Sequence, residues 1–314
     1  MPRPPVLILA LLPAIAPPGT PQPRPHQPLF LSGDVAWPAT PHASVAGDAD
    51  DDVVTLRGSV PTARIGPVAV TGAYRVLYVS RSANVGNLEI DGLDARVTDA
   101  CVRVHAAKVV VRNSHCVMTG GPQAGGINMP FGLQVTAADH VVVEDSSFDG
   151  FRWRSDPDRY WNGDGITIER DVGHAEFRRV SANGNTDAGF DVRPYATMSD
   201  VSASGNCRNF RFWSGGEVGT LTTGDSIKRG GVSACSGIWL NGSEHGPRPR
   251  LHIAKLIVRM AHPGMIIEVE TGPADIAIDR CDIQAPRGTS MVRFERGEGE
   301  VRLGRGCELD QRRS

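Results

Sequence analysis

The chain has 314 residues, enough to bury a large core, but only 6% of them are aromatic, while 36 are glycine and 23 are proline. This composition favours short strands joined by many turns over a packed helical bundle. The 33 lysines and arginines nearly balance the 35 aspartates and glutamates, which gives a net charge of -2. The chain therefore has no general positive field for nucleic acid or an anionic membrane, and any polyanionic partner must be held locally.

The N-terminal segment has the pattern of an export signal. Arg3 is followed by a short apolar run, Val6–Ala16, which ends in a small-x-small cleavage pattern and is too short to span a membrane. The next residues are rich in proline and end in an acidic run, which indicates a solvated linker. We therefore expect a signal peptide at 1–20, a linker at 21–50, one domain at 51–314 and a secreted or periplasmic protein.

A repeated apolar pattern predicts the fold. One phrase has the form apolar-x-x-apolar-x-apolar, as in Phe177, Val180 and Ala182, and a second phrase alternates apolar and polar residues, as from Phe190 to Val192. These two strand phrases recur in turn along the chain, which is typical of stacked coils. The sequence therefore predicts an all-β fold, a right-handed parallel β-helix (a β-solenoid) with two strands per turn.

Aligning the second phrases assigns their residues to columns that run across the turns. The outward column comprises Arg103, Gln134, Thr167, Asp191, Arg211, Trp239, Glu268 and Arg293. The internal column includes Ile166, Phe190, Phe210 and Ile238. Longer insertions at 117–132, 149–165 and 224–237 fall on one side of the repeat, where repeat proteins collect their binding loops. We expect these loops to flank a trough over the outward column.

Six cysteines lie in the predicted domain, without the CxxC or Cys/His spacing of a metal or redox site. Cys207 and Cys235 each precede an aligned strand residue by three positions, so we expect a disulfide between adjacent turns. Cys116 and Cys281 occupy inward positions and are expected to be unpaired core residues.

Three carboxylates lie on two neighbouring turns beside the predicted trough. Asp164 and Asp187 precede strands, and Asp191 stands next to Arg211 in the outward column. Carboxylate oxygens on open, glycine-containing turns are typical of a site for a hard cation such as calcium. The same residues also fit turn capping by Asp164 and Asp187 and a surface ion pair between Asp191 and Arg211.

These segments resemble a known family. The similar segments are 162–166 (NGDGI), 185–191 (NTDAGFD) and 209–216 (NFRFWSGG). They are similar to the calcium and base motifs of the family 9 pectate lyases, within the pectate-lyase-like β-helix superfamily. The resemblance implies Asp164, Asp187 and Asp191 as calcium ligands, and it places Arg211 where that family has its lysine base.

Two positions depart from the family pattern. Ala188 replaces the second aspartate of a pair, which removes one calcium ligand, and Arg211 replaces the lysine. Because arginine is normally always charged and Asp191 lies beside it, Arg211 suits a carboxylate clamp better than a base. Lys228, in the insertion at 224–237, is therefore a second candidate for the base.

The resemblance implies calcium-assisted β-elimination of a uronate polysaccharide. A calcium ion that neutralises the uronate carboxylate would make the C5 proton easier for a base to remove. Aromatic residues and arginines of the loop 151–161 fit such a substrate, although Trp153 and Trp161 fit simple packing of the loop equally well. The expected partner is an acidic polysaccharide, bound by a monomer that takes no nucleic acid and does not span a membrane.

Two other functions stay open. A polygalacturonase-type hydrolase shares the fold and the start of its motif at 185–187, but Cys207 and Arg208 stand where the next aspartate pair is required, and the chain has no Gly-His-Gly. The protein would instead be a non-catalytic exported protein that binds glycans or a cell-surface partner. Such a protein needs neither the carboxylate that Ala188 replaces nor a catalytic base.

Overall fold

The computed structural model describes residues 27–309 except 122, 125–128 and 242–247, so the predicted signal peptide lies outside the described residues. Within these ranges, no helix has the length and apolar character that a membrane crossing needs. The strands, in chain order, are β1 (Leu29–Leu31), β2 (Val35–Trp37), β3 (Ala43–Ala46), β4 (Asp52–Leu56), β5 (Ser59–Ile65), β6 (Val68–Ala73), β7 (Arg75–Val79), β8 (Asn84–Asp91), β9 (Leu93–Val97), β10 (Val102–Val104), β11 (Lys108–Arg112), β12 (His115–Met118), β13 (Gln123–Ala124), β14 (Phe131–Asp149), β15 (Trp153–Arg154), β16 (Asp164–Asn183), β17 (Ala188–Val192), β18 (Ala196–Ser204), β19 (Arg208–Phe212), β20 (Gly215–Thr223), β21 (Ser236–Leu240), β22 (Arg250–Arg259), β23 (Met265–Gln284) and β24 (Ser290–Arg305).

All of these strands except β13 and β15 belong to one 22-stranded sheet whose pairings are parallel. In the first turns each strand pairs with the strand three places later, as β1 does with β4 and β4 with β7. One turn of the chain therefore contains three strand faces. In later turns long strands such as β14 and β16 continue through the corners. The faces of every turn enclose one apolar core.

The predicted fold class, a right-handed parallel β-helix (a β-solenoid) with two strand phrases per turn, is corrected by this arrangement. Because strand pairing continues through the corners, the strands belong to one continuous parallel sheet that closes around the core in cross-section, as a barrel wall does. There are three strand faces instead of two. The stack has two ends. At one end β1 pairs with β4, and at the other β24 pairs with β23. Among the described strands, no pair joins β1 to β24.

A stacked corner explains why the sequence pattern showed two phrases instead of three. Residues with positive φ lie above one another at this corner: Gly92, Asn113, Asp145, Arg179 and Asp200. Glycine, asparagine and aspartate are the residues that enter the left-handed region most readily. The phrase of Phe177 and Val180 therefore spans two strands joined at this bend, and the two polar positions between its apolar residues form the corner.

The sheet begins earlier than the predicted domain start at residue 51. β1, β2 and β3 lie in the expected linker at 21–50, and they pair in parallel with β4, β5 and β6. Val35 and Trp37 are buried against the first turn. These strands have only three or four residues each, which is too short for the alternation to stand out among the neighbouring prolines.

The predicted columns are confirmed by the strand register. Ile166, Phe190, Phe210 and Ile238 pair on successive turns and are fully buried. The rings of Phe190 and Phe210 stack with their centroids 4.9 Å apart. The outward column is in register at every step from Arg103 to Arg293.

All six cysteines are paired, in the disulfides Cys101–Cys116, Cys207–Cys235 and Cys281–Cys307. The predicted pairing of Cys207 with Cys235 is confirmed. The prediction that Cys116 and Cys281 are unpaired is wrong. Alternation along a strand indicates which way a side chain points, but it does not indicate which cysteine of another segment lies beside it.

Removing the ring of Phe210 should cost more stability than removing an equivalent ring at the end of the stack. Phe210→Ala opens a cavity in the internal column and should lower the free energy of unfolding by about 3–5 kcal/mol. Phe294→Ala is the matched control, because Phe294 is 39% exposed on the last turn. Urea denaturation measures both, and equal losses would show that Phe210 is not packed in the core.

Candidate ligand-binding site

Inserted loops meet over the outward column. Trp161, in the insertion at 149–165, packs so closely against Gly230 and Gly231 that an added Cβ would lie 2.4 Å and 3.0 Å from its ring. The strands β13 and β15 join the insertion at 117–132 to that at 149–165. The inserted segments therefore form one wall, on the side of the repeat where the sequence placed them.

A cavity of about 480 Å³ opens beneath this wall. Its lining includes Tyr160, Arg208, Arg211, Trp213, Trp239 and Glu270. The guanidinium of Arg211 lies 5.1 Å from the ring centre of Trp213 and 4.9 Å from that of Trp239. Contacts of this kind hold a planar cation against an aromatic ring. Trp239 is buried, whereas Trp213 is half-buried and Tyr160 is exposed. We call this space the aromatic cavity.

Asp187 lies beneath the aromatic cavity and is fully buried. One of its carboxylate oxygens accepts a hydrogen bond of 2.9 Å from Arg208 Nη1, and the other accepts one of 2.9 Å from Arg211 Nη1. The Tyr160 hydroxyl donates to the same oxygen as Arg211 does. Asp187 therefore positions two guanidinium groups and one phenol at the cavity wall.

The two arginines are not fully hydrogen-bonded. Their Nη1 atoms contact Asp187 and, at 3.4 Å for Arg208 and 3.1 Å for Arg211, the Tyr160 oxygen. Nε of each arginine is buried and has no hydrogen-bond partner. A buried donor without an acceptor costs free energy, so the protein does not fully use the hydrogen-bonding capacity of these two guanidinium groups.

The other two predicted ligands are held by protein groups as well. Asp164 accepts hydrogen bonds from the Ala188 amide at 2.9 Å and the Thr167 hydroxyl at 3.0 Å, one on each oxygen. Asp191 accepts one from Trp213 Nε1 at 2.6 Å and forms an ion pair with Arg211 at 3.6 Å through its other oxygen. The structure thus brings the predicted cluster of Asp164, Asp187, Asp191 and Arg211 together on adjacent turns.

This cluster does not fit a calcium ion. Each oxygen of the three carboxylates already has a protein partner, and the partners of both Asp187 oxygens include the positive charges of Arg208 and Arg211. Calcium needs six to eight oxygen ligands, and Ala188 offers none. The predicted calcium ligands Asp164, Asp187 and Asp191 are better explained as the anionic side of a buried ion-pair group.

Burial dominates the electrostatics of these groups. It raises the pKa of Asp164 to about 6, with repulsion from Asp191 adding to the shift and attraction to Arg211 opposing it. Burial also raises the pKa of Asp187, against the attraction of Arg211 and Arg208. For Arg211, burial disfavours the charge, but Asp191, Asp187 and Asp164 outweigh it, so its pKa lies above the usual value. Arg211 is therefore a permanent cation in this site.

Neither predicted base is placed for proton removal. Arg211 lines the aromatic cavity but stays charged, which suits the clamp that the sequence favoured. Lys228 is exposed on the insertion at 224–237, and it is Val232, Ser233 and Ala234 of that loop that line the cavity.

Sequence reasoning missed Arg208 and the role of Tyr160. Arg208 stands two residues before the internal Phe210, so strict alternation assigns it to the core. In the structure its side chain reaches Asp187 on the preceding turn. Tyr160 lies in an insertion, for which a strand register gives no position, although the aromatic content of that loop did indicate a ligand.

No family model, no curated protein and no solved structure matches the chain.

The raised pKa of Asp164 predicts a pH-dependent loss of stability. Because the folded carboxyl keeps its proton more tightly, its contribution is fully present below the unfolded value of 3.8 and is lost as the pH rises through about 6. The difference amounts to roughly 3 kcal/mol. Asp164→Asn keeps the shape and cannot ionise, so its free energy of unfolding should rise relative to that of the parent protein over this pH range.

Denaturation of the parent protein and of Asp164→Asn below pH 3.8 and above pH 6 measures this difference. Taking the variant minus the parent cancels the titration of carboxyls that do not interact with Asp164. A difference that stays constant over the range would mean that Asp164 ionises as it does in the unfolded chain.

Proposed function

We propose that this protein binds an acidic polysaccharide in the aromatic cavity. The observation that carries the proposal is that one cavity is lined by an exposed tyrosine, Tyr160, and a half-buried tryptophan, Trp213, together with the guanidinium groups of Arg208 and Arg211, whose Nε donors have no partner. Aromatic faces suit the apolar faces of sugar rings, and a guanidinium edge suits a uronate carboxylate. Arg208 and Arg211 are offset by Asp187 and Asp191, so recognition rests on directed donors and not on an excess of positive charge.

The proposed setting is outside the cytoplasm. Three disulfides are compatible with an extracellular protein, because such bonds persist in oxidising compartments. We include secretion or a periplasmic location in the proposal, together with a monomer as the binding species. An extended glycan would run along the outward column, past partly exposed residues such as Gln134 and Arg211.

Binding is tested by titration calorimetry with oligomers of galacturonate, glucuronate and alginate. We expect at least one of them to bind, and the methyl ester of the same oligomer to bind more weakly, because esterification removes the charge that the guanidinium groups recognise. Trp213→Ala should weaken binding about tenfold through the lost ring contact.

Tyr195→Ala is the control for that variant. Tyr195 is an exposed aromatic residue that does not line the aromatic cavity, so its loss should leave the affinity unchanged. Melting temperatures establish that both variants fold. Equal affinities for the acid and its ester, or equal effects of the two substitutions, would contradict the proposed site.

β-Elimination is the second candidate function, and the placement of the Tyr160 hydroxyl favours it. With a uronate carboxylate held by Arg211, Tyr160 could take the C5 proton while its own proton passes to the hydrogen-bonded Asp187. The C4=C5 double bond forms as the C4–O bond breaks, and the leaving oxygen takes a proton from water. The hydroxide left behind takes the proton of the Tyr160 hydroxyl, which recovers one from Asp187, so that the site returns to its starting state. Burial of Asp187, which raises its pKa, helps this carboxylate accept the proton.

Release of a 4,5-unsaturated uronide, followed by its ultraviolet absorbance, tests this chemistry. Activity should persist in a metal chelator and disappear in Tyr160→Phe, whereas Tyr195→Phe should remain fully active and Tyr160→Phe should still bind the oligomer. Binding without any unsaturated product would leave glycan binding as the function. Product that a chelator abolishes would instead support a metal-dependent reaction.

A further inference from the structure

A second cluster of chemically active side chains lies on a different strand face from the aromatic cavity. His140 of β14 and His174 of β16 are register partners on adjacent turns, and Glu176 follows two residues after His174. By strand alternation His174 and Glu176 point to the same side, away from the buried Ala175 and Phe177 between and beyond them. All three side chains are partly exposed, so solvent reaches them.

The ligating atoms of these three side chains converge. One nitrogen of each histidine and one Glu176 oxygen lie within 4.8 Å of one another. The imidazole rings stack with centroids 5.8 Å apart and an angle of 19° between their planes. His140 Nε2 is 2.9 Å from Glu176 Oε1. Among the described residues this is the group whose donor atoms come together closely enough for one ion.

We propose that His140, His174 and Glu176 form a zinc site that links two turns of the chain. Two imidazole nitrogens and one carboxylate oxygen are a set that zinc accepts, with water in the fourth position. With bonds of about 2.0–2.2 Å, tetrahedral ligands lie roughly 3.3 Å apart. Small side-chain rotations would therefore bring the three donors to one ion. Nitrogen donors disfavour calcium and magnesium, which prefer oxygen.

Neighbouring groups already orient two of the three ligands. Arg178 forms an ion pair with Glu176 Oε2, which leaves Oε1 directed at His140. The hydroxyl of Thr197, on the next turn, lies 3.3 Å from His174 Nε2, and the hydrogen bond restrains that ring. Contacts of this kind are common around metal ligands, since they limit the rotation that binding must otherwise restrict.

Zinc titration of the full chain without an affinity tag tests the site. We expect one zinc ion per chain, a visible absorption band when Co²⁺ replaces zinc, and a melting temperature that rises with zinc. His174→Ala should weaken binding by about a hundredfold or more, since even partners of the ligands are worth about 10- to 100-fold. Glu176→Gln should weaken it as well, and it keeps the side-chain volume should the alanine variant fail to fold.

His115→Ala is the control, because His115 is an exposed histidine on another strand face whose ring contacts Ser147. Its zinc affinity and its zinc-dependent rise in melting temperature should match those of the parent protein. Failure of the parent to take up zinc would overturn the proposal. So would equal affinities in the parent, His174→Ala and Glu176→Gln, since zinc would then bind at other exposed histidines.

Discussion

In-register stacking of parallel strands is the constraint on which the other features of this protein depend. Strands of successive turns lie about 4.8 Å apart, so each side chain meets the residue at the same position one turn away. Inside, this places Phe190 on Phe210. Outside, it places Asp191 beside Arg211 and Arg211 beside Trp239. A charged residue in an outward column must therefore be compatible with its neighbours on both sides, and this column contains no adjacent pair of like charges.

Asp187 shows how the stacking is extended to the loops. A fully buried carboxylate is tolerated only when it is paired and hydrogen-bonded, and here the partners are Arg208 and Arg211 on the next turn and Tyr160 on an insertion. The insertion that carries Tyr160 is thereby fixed over the short turns. Because every oxygen of the cluster is used in this way, the site presents oriented donors to a ligand, and a cation would first have to displace two guanidinium groups.

The sequence was sufficient for the register but not for the corners. Apolar alternation depends on burial alone, so it predicted the column from Ile166 to Ile238 and the disulfide between Cys207 and Cys235 correctly. The number of strand faces depends on backbone bends at residues such as Asp145 and Arg179, which leave no apolar signal. The candidate site was likewise predicted only in part. The sequence correctly placed together the carboxylates that lie on or just before strands. Periodicity cannot predict how far the long side chain of Arg208 extends.

The same spacing has opposite consequences on two strand faces. In the aromatic cavity a carboxylate and a guanidinium face each other across adjacent turns, so the charges offset within the protein and no ion is needed. On the other face the register partners are both imidazoles, His140 and His174, which cannot neutralise each other and which repel if both are protonated. Glu176 adds one negative charge beside them. A divalent cation shared by two neutral imidazoles and one carboxylate would instead link the two turns through their side chains.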